Sequence, residues 1–198
     1  AMFCYWQYLT SALSLSLYGT LDETTSFFNK AQLLTGNLNG TYNIICFSIA
    51  FALIPIAKKI GPKRLHFFSL VIGGFGLLCM QLLNDTDILF VLHFGIGIEI
   101  SQIYLFSFCM GITWASMMAM PYQMLASTIP INKMGIYMGI FNMFIVIPMI
   151  IQIFSVQYII YDLLGQNPIN IIRLSGTFLI IGGIFSLFVS QPAKVDSI

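Results

Sequence analysis

Polar and aromatic side chains interrupt several long apolar runs, where a helix that faces only lipid has no use for them. Trp114 lies near the middle of one such run, within GITWASMMAMPYQML (111–125), and the amides of Gln7 and Asn142 lie in two others. The face of an indole can stack on a sugar ring while amides bond sugar hydroxyls. This combination is typical of an aqueous cavity that holds a polar, ring-shaped solute.

The alternative explanation for each polar stripe is helix packing. Small residues let membrane helices approach closely, and side-chain hydrogen bonds across helices contribute about 0.6–2 kcal/mol. We favour packing for the GxxxG pair Gly135 and Gly139, and we leave both explanations open for Ser11 and Ser14. In the run 111–125, helical spacing aligns Trp114 with Gly111, Ala115 and Met118 and leaves Ser116 off that face.

Three residues are candidates for gating. Proline in a membrane helix frees a carbonyl and bends the helix, so Pro121 and Pro148 predict either static kinks or gates. Tyr122 falls on the face of Trp114 but near one end of its run, which makes it a better gate candidate than a ligand.

The sequence contains no recognisable set of catalytic residues. The sequence shows no Ser-His-Asp set, no HExxH and no glycine-rich phosphate loop, so we expect neither an enzyme nor a cofactor. The four cysteines lie in apolar segments without a CxxC pair, which is typical of inert buried thiols and predicts no metal site.

Composition places the chain in a membrane. Of its 198 residues 58% are hydrophobic and 8% charged, whereas soluble domains carry about 25% charged residues. The net charge of +1 gives no argument for nucleic acid. A crossing helix needs about 20 apolar residues, and six runs meet this need. The predicted spans are 2–19, 39–57, 66–83, 103–125, 134–159 and 170–190.

The apolar stretch 88–102 does not fit the series, because it contains His93 and Glu99. It is compatible with a seventh span, with a re-entrant segment, or with an extracytoplasmic loop at the membrane interface. We favour the interfacial loop, since a seventh span needs a tight turn near Gln102 and inverts everything after it.

The distribution of Lys and Arg predicts the orientation. With six spans, six basic residues lie on one side and two, Lys30 and Arg173, on the other. The positive-inside rule places the richer side, and with it both termini of this segment, in the cytoplasm. The six are Lys58, Lys59, Lys63, Arg64, Lys133 and Lys194.

Residues 111–152 carry a specific likeness. They contain a G-x-x-W-A-S-x-x-x-x-P-Y block followed by G-x-Y-M-G-I-F-N-x-x-I-V-I-P, and they resemble the tenth and eleventh helices of sugar transporters in the major facilitator superfamily, in the glycoside/sucrose/maltose branch. MFCYWQYLT (2–10) looks like the seventh helix of that family. KKIGPKR (58–64) matches its basic loop but has Lys58 and Lys59 where the family has an Asp-Arg pair.

The resemblance implies an all-α fold, the C-terminal six-helix half of a twelve-helix transporter in the cell (inner) membrane. The start at Ala-Met agrees with a piece of a longer protein whose N-terminal half is missing here. The implied function is uptake of a di- or oligosaccharide such as maltose or sucrose by alternating access between two halves, with a proton as coupling ion. Gln7, Asn43, Trp114 and Asn142 would face the sugar.

Two other functions stay open at this stage. A sensor or assembly subunit on a transporter scaffold would share every feature above, and a six-helix half that pairs with a second copy of itself is a further alternative. No acidic residue of this chain lies securely in mid-membrane, so we expect any proton carrier to lie in the missing half.

Overall fold

The computed structural model describes residues 1–83, 85–93 and 97–190, and the chain is mostly helical. Lys194, which entered the charge count, lies outside these residues. Seven helices and two strands follow one another along the chain. They are α1 (Met2–Tyr18), α2 (Ser26–Ile60), α3 (Pro62–Cys79), β1 (Ile88–His93), β2 (Gly97–Ser101), α4 (Tyr104–Ala126), α5 (Met134–Ser155), α6 (Tyr161–Leu163) and α7 (Pro168–Ser186).

Local sequence explains where the helices begin and end. The N–H groups of Gly19 (φ 67°) and Thr20 bond Leu15 O and Ser14 O, a left-handed cap that ends α1. The Thr25 hydroxyl accepts a hydrogen bond from the Phe28 N–H at 3.2 Å and starts α2. Between them, hydrogen bonds from the Thr24 hydroxyl and N–H lower the pKa of the exposed Asp22 carboxyl.

Four helical segments are long and apolar enough to cross a membrane: 26–60, 62–82, 131–163 and 168–186. The other two long helices fall outside this set, since α1 has 17 residues and α4 carries the polar residues of the GITWAS and PYQ stretches. The chain therefore has the helices of a membrane protein. Each of the six predicted spans coincides with a helix, and the six-span assignment itself stays a prediction.

One boundary differs clearly from the sequence prediction. Helix α2 begins at Ser26, whereas the predicted span begins at 39. Hydropathy detects only the apolar part of a helix, and the first turns of α2 contain Asn29, Lys30 and Gln32. The Thr25 cap and the burial of Ala31 and Leu34 against other helices hold these polar turns in helical form.

The stretch 88–102 folds as a hairpin. Strand β1 pairs with β2 in antiparallel register, Val91 opposite Glu99, with an irregularity between Ile88 and Phe90. The Gln102 N–H then bonds Asp87 O at 2.9 Å before α4 begins. The described residues of this stretch thus form no helix, and a location at the membrane interface stays a prediction.

Five helices close into a ring in the spatial order α1, α2, α4, α3, α7 and back to α1. Glycines allow the backbones of α3 and α7 to approach each other closely. A Cβ on Gly74 would lie 2.8 Å from Gly176 O, and one on Gly176 would lie 2.7 Å from Gly74 O. Polar bonds add to the contact between α3 and α4, where the Thr113 hydroxyl donates to Ser69 O at 2.7 Å.

Helix α5 is the exception, because it has no buried residue. It touches α1 and α4 only lightly, and a Cβ added to Gly135 or Gly139 would meet no atom within 4 Å. The GxxxG pair therefore makes no helix contact among the described residues, and the packing that its spacing favours stays a prediction. The chain continues through a π-helical segment, Val156–Ile160, into α6.

The glycine contact gives a stability prediction. Gly176→Ala places a methyl group against the Gly74 carbonyl, and overpacking of this kind costs about 1–3 kcal/mol. Ala stabilises a helix by about 1 kcal/mol relative to Gly, so the clash should dominate and lower the thermal unfolding midpoint in detergent. Gly36→Ala is the control, since no atom lies within 4 Å of its added Cβ. A midpoint for Gly176→Ala at or above that of the unmutated chain would contradict this packing.

Candidate functional site

A cavity of about 390 Å³ lies among α1, α3, α4, α5 and α7, and we name it the central cavity. Its wall is mainly apolar, with methionines and phenylalanines from several helices. Polar atoms come from three kinds of residue: tryptophan, glutamine and histidine. Its described lining residues include Trp6, His66, Trp114, Pro121, Phe141, Pro148, Gln152 and Gly182.

The two tryptophans of the chain form one corner of the central cavity. Trp6 and Trp114 meet edge to face, with ring centroids 5.2 Å apart and planes at 77°. The Trp6 Nε1–H donates to the Tyr42 hydroxyl at 3.3 Å, which fixes that indole against α2. Such a corner offers an apolar face to a flat ring and holds its orientation through a side-chain hydrogen bond. Trp114 is a predicted site residue, whereas Trp6 is not among the residues that the sequence indicates.

A pair of glutamine amides borders the same cavity. The Gln152 Nε2–H donates to Gln7 Oε1 at 3.0 Å, joining α5 to α1. Gln152 lines the cavity, whereas Gln7 is exposed beside it. The buried Gln152 Oε1 has no hydrogen-bond partner among the described residues. This oxygen is enclosed by protein in the present conformation, so it becomes an acceptor for a hydroxyl in the cavity only when the side chain or α5 rearranges. Gln152 is not among the site residues that the sequence predicts.

The predicted gate residues lie at the same cavity or next to it. Pro121 of α4 and Pro148 of α5 both line it. The Tyr122 hydroxyl donates to Asn142 Oδ1 at 2.8 Å, so these two side chains connect α4 to α5. Asn142 is exposed and bonded to a protein partner rather than lining the cavity, which assigns it to the contact between the two helices in this conformation.

Asn43 stands apart from the other predicted ligands. Its Nδ2–H donates to the carbonyl of Asn39, one turn earlier in the same helix, at 2.8 Å. The side chain is exposed and does not line the central cavity. The Asn39 side chain is instead the acceptor for the Tyr5 hydroxyl. The stripe of asparagines on α2 therefore serves contacts within and between helices.

A buried histidine completes the cavity wall. His66 of α3 is 8% exposed, and its Nδ1 lies 3.0 Å from the Ser116 hydroxyl of α4. Ser116, which is fully buried, is the residue that helical spacing left off the Trp114 face. The sequence held one signal for this pair, a histidine and a serine inside apolar runs. Which side chains meet depends on the rotation of α3 against α4, and a single sequence does not specify that.

A second cavity, of about 330 Å³, adjoins the first near the basic loop 58–64, and we name it the basic-end cavity. His66, Pro121 and Phe141 line both cavities and thus form the wall between them. The other described lining residues are Met124, Leu125, Thr128, Ser186, Val189 and Ser190. Lys63 closes the same end, since its Nζ–H donates to Leu187 O at 3.2 Å.

Comparison with protein-family models, with curated proteins and with solved structures finds no match to this chain. The likeness of residues 111–152 to a transporter family therefore stays a resemblance. Among the described residues no group of three His, Cys, Asp or Glu side chains could hold a metal ion.

The position of both tryptophans gives a test of the cavity. A small neutral quencher such as acrylamide should reach the two indoles through it. Gly182 lines the cavity, and a Cβ there would touch only Leu70 Cδ1, at 4.0 Å. Gly182→Met should therefore fill part of the space and reduce quenching of tryptophan fluorescence, while Gly36→Met, on an open face of α2, should not. Equal quenching in the two variants would show that the indoles are reached by another route.

Proposed function

We propose that this chain is the C-terminal six-helix half of a secondary active sugar transporter of the major facilitator type, which carries a di- or oligosaccharide such as maltose or sucrose. Transport by alternating access places the substrate near the middle of the membrane, between two halves that rock about it. The membrane-spanning helices and the resemblance of residues 111–152 support this class.

One observation carries the proposal: two indoles that meet edge to face and the amide-bearing side chain of Gln152 line one cavity. Ligand pockets enclose about 300–1000 Å³ and combine apolar walls with a few placed polar groups, and the central cavity, at about 390 Å³, fits that description. A sugar presents an apolar ring face and a rim of hydroxyls. Trp114 would stack on the ring face. The unpaired Gln152 Oε1, enclosed in this conformation, would accept from a hydroxyl once it is opened to the cavity.

The substrate residues we propose therefore differ from the set drawn from the sequence. Trp114 stays, and Trp6 and Gln152 join it because they line the same cavity. Gln7 takes a positioning role through its bond to Gln152. Asn142 and Tyr122 bridge α4 and α5 beside Pro121, which suits a gate. Asn43 is left out of the proposed site.

A missing N-terminal half fits the exposure of α5. Large apolar side chains cover this helix, among them Phe144, Ile151 and Phe154, each more than half exposed. Lipid would solvate such side chains equally well, but the open glycines Gly135 and Gly139 suit the close approach of another helix. The basic loop at 58–64 supports a cytoplasmic location for both ends of the segment, in the cell (inner) membrane.

Replacing Trp114 tests the sugar site. Trp114→Ala removes the stacking surface and should reduce uptake of radiolabelled maltose or sucrose by the full-length protein about tenfold, which corresponds to about 1.4 kcal/mol of binding. Trp114→Phe keeps an aromatic face and should lose less. Asn43→Ala is the matched control, since its amide bonds its own helix, and it should transport normally. Normal uptake by Trp114→Ala would remove Trp114 from the site.

A separate measurement distinguishes a transporter from a sensor or assembly subunit. In proteoliposomes loaded with unlabelled sugar, a transporter should exchange it for labelled sugar outside without any ion gradient. Gln152→Met removes the unpaired oxygen and keeps the volume of the side chain, so it should raise the sugar concentration for half-maximal exchange without lowering the amount of protein in the vesicles. Absence of exchange by the unmutated protein would contradict the proposed function.

A further inference from the structure

His66 holds a position that the sugar site does not explain. It is buried within the helical bundle, between the central cavity and the basic-end cavity, and it lines both. Ionisable side chains inside membrane helices are costly and are usually functional. No other described residue that lines either cavity has an ionisable side chain. Ala1 also lines the central cavity.

The geometry leaves one ring nitrogen free to exchange a proton. Ser116 Oγ lies 3.0 Å from Nδ1, and no hydrogen bond to Nε2 is found among the described residues. When Nδ1–H donates to the serine oxygen, Nε2 carries a lone pair and can accept a proton. Histidine serves as a proton shuttle because changes in its surroundings, such as access to water, change its protonation.

The other titratable groups on the helices around His66 do not line either cavity. The helices packed against α3 are α4, α7 and α2, and none of their titratable or charged residues lines either cavity. Those residues are Lys30, Tyr42, Cys46, Lys58 and Lys59 on α2, Tyr104, Cys109 and Tyr122 on α4, and Arg173 on α7. On α3 itself, Lys63 bonds the carbonyls of Leu187 and Val189, and Arg64 is exposed. No carboxylate or cation from these groups therefore competes for the His66 proton at the cavity wall.

We infer that His66, held by Ser116, is the proton-carrying residue that couples transport to a proton gradient. This inference rests on the proposed function. It also revises the expectation drawn from carboxylates alone, that the carrier lies in the missing half. The carrier is a histidine of this chain, at the wall between the two cavities.

The proton step conserves the ring and its hydrogen bond to Ser116. A proton that enters the central cavity together with the sugar binds the Nε2 lone pair and gives an imidazolium. When the Pro121–Phe141 wall moves, the same N–H faces the basic-end cavity and releases the proton to water there, which restores the neutral ring. One proton crosses for each cycle, and no other group changes its covalent state.

The test compares two assays on the full-length protein in proteoliposomes, with maltose and sucrose as probes. Exchange of labelled sugar without a gradient requires no net proton movement, whereas accumulation driven by an acidic exterior does. With one proton per sugar, one unit of pH supports about tenfold accumulation. His66→Gln should keep exchange and lose accumulation. His93→Gln, which replaces the other histidine of the chain, on β1, should keep both.

The outcomes separate the two proposals. Absence of exchange by the unmutated protein defeats the proposed function itself. Exchange without pH-driven accumulation by the unmutated protein, or accumulation that persists in His66→Gln, overturns the assignment of His66. If the His66→Gln protein cannot be incorporated into the vesicles, the Ser116→Ala variant tests the assignment of His66 instead. It frees Nδ1 and should shift the pH midpoint of sugar-induced proton uptake, and an unchanged midpoint also overturns the assignment.

Discussion

The backbone contact between α3 and α7 is the constraint on which the rest of the bundle depends. Gly74 and Gly176 bring two helices together closely enough that each carbonyl occupies the place of a side chain on the other. This contact closes the ring of five helices, and the ring fixes the rotation of α3. The rotation of α3 in turn sets His66 against Ser116 and at the wall of both cavities. Two glycines, which have no reactive side chain, thus help to position His66, the ionisable residue at the wall of both cavities.

Hydrogen bonds between helices use up many of the polar groups that the sequence makes conspicuous. The hydroxyls of Thr10 and Thr35 join α1 to α2, and that of Ser107 bonds the Leu38 carbonyl. In an apolar environment a polar side chain is either satisfied by protein or available to a solute, and the first case is common. The unpaired oxygen of Gln152 therefore distinguishes the central cavity better than the number of amides on any stripe does.

Periodicity predicted those features that lie on a single helix. Trp114, Pro121 and Pro148 reach the same cavity, because spacing along α4 and α5 determines which residues share a face. Contacts between helices were beyond the sequence, since they depend on rotation and on lateral position. The bond from His66 to Ser116, the bond from Gln7 to Gln152 and the separation of Asn43 from the cavity are of this kind. The early start of α2 was not predicted, because capping by Thr25 does not change the hydropathy of the sequence.

The π-helical segment Val156–Ile160 makes the two ends of the α5 chain mechanically unequal. Val156 is buried with Cys4 and Ile171, and Tyr161 stacks near Tyr8 at 5.3 Å, so the far end is held by α1 and α7. At the other end of α5, near Met134, no residue is buried against the bundle. Segments with few buried contacts open at the lowest free energy. The end of α5 at Met134 is therefore the end that we expect to separate from the bundle at the lower free energy.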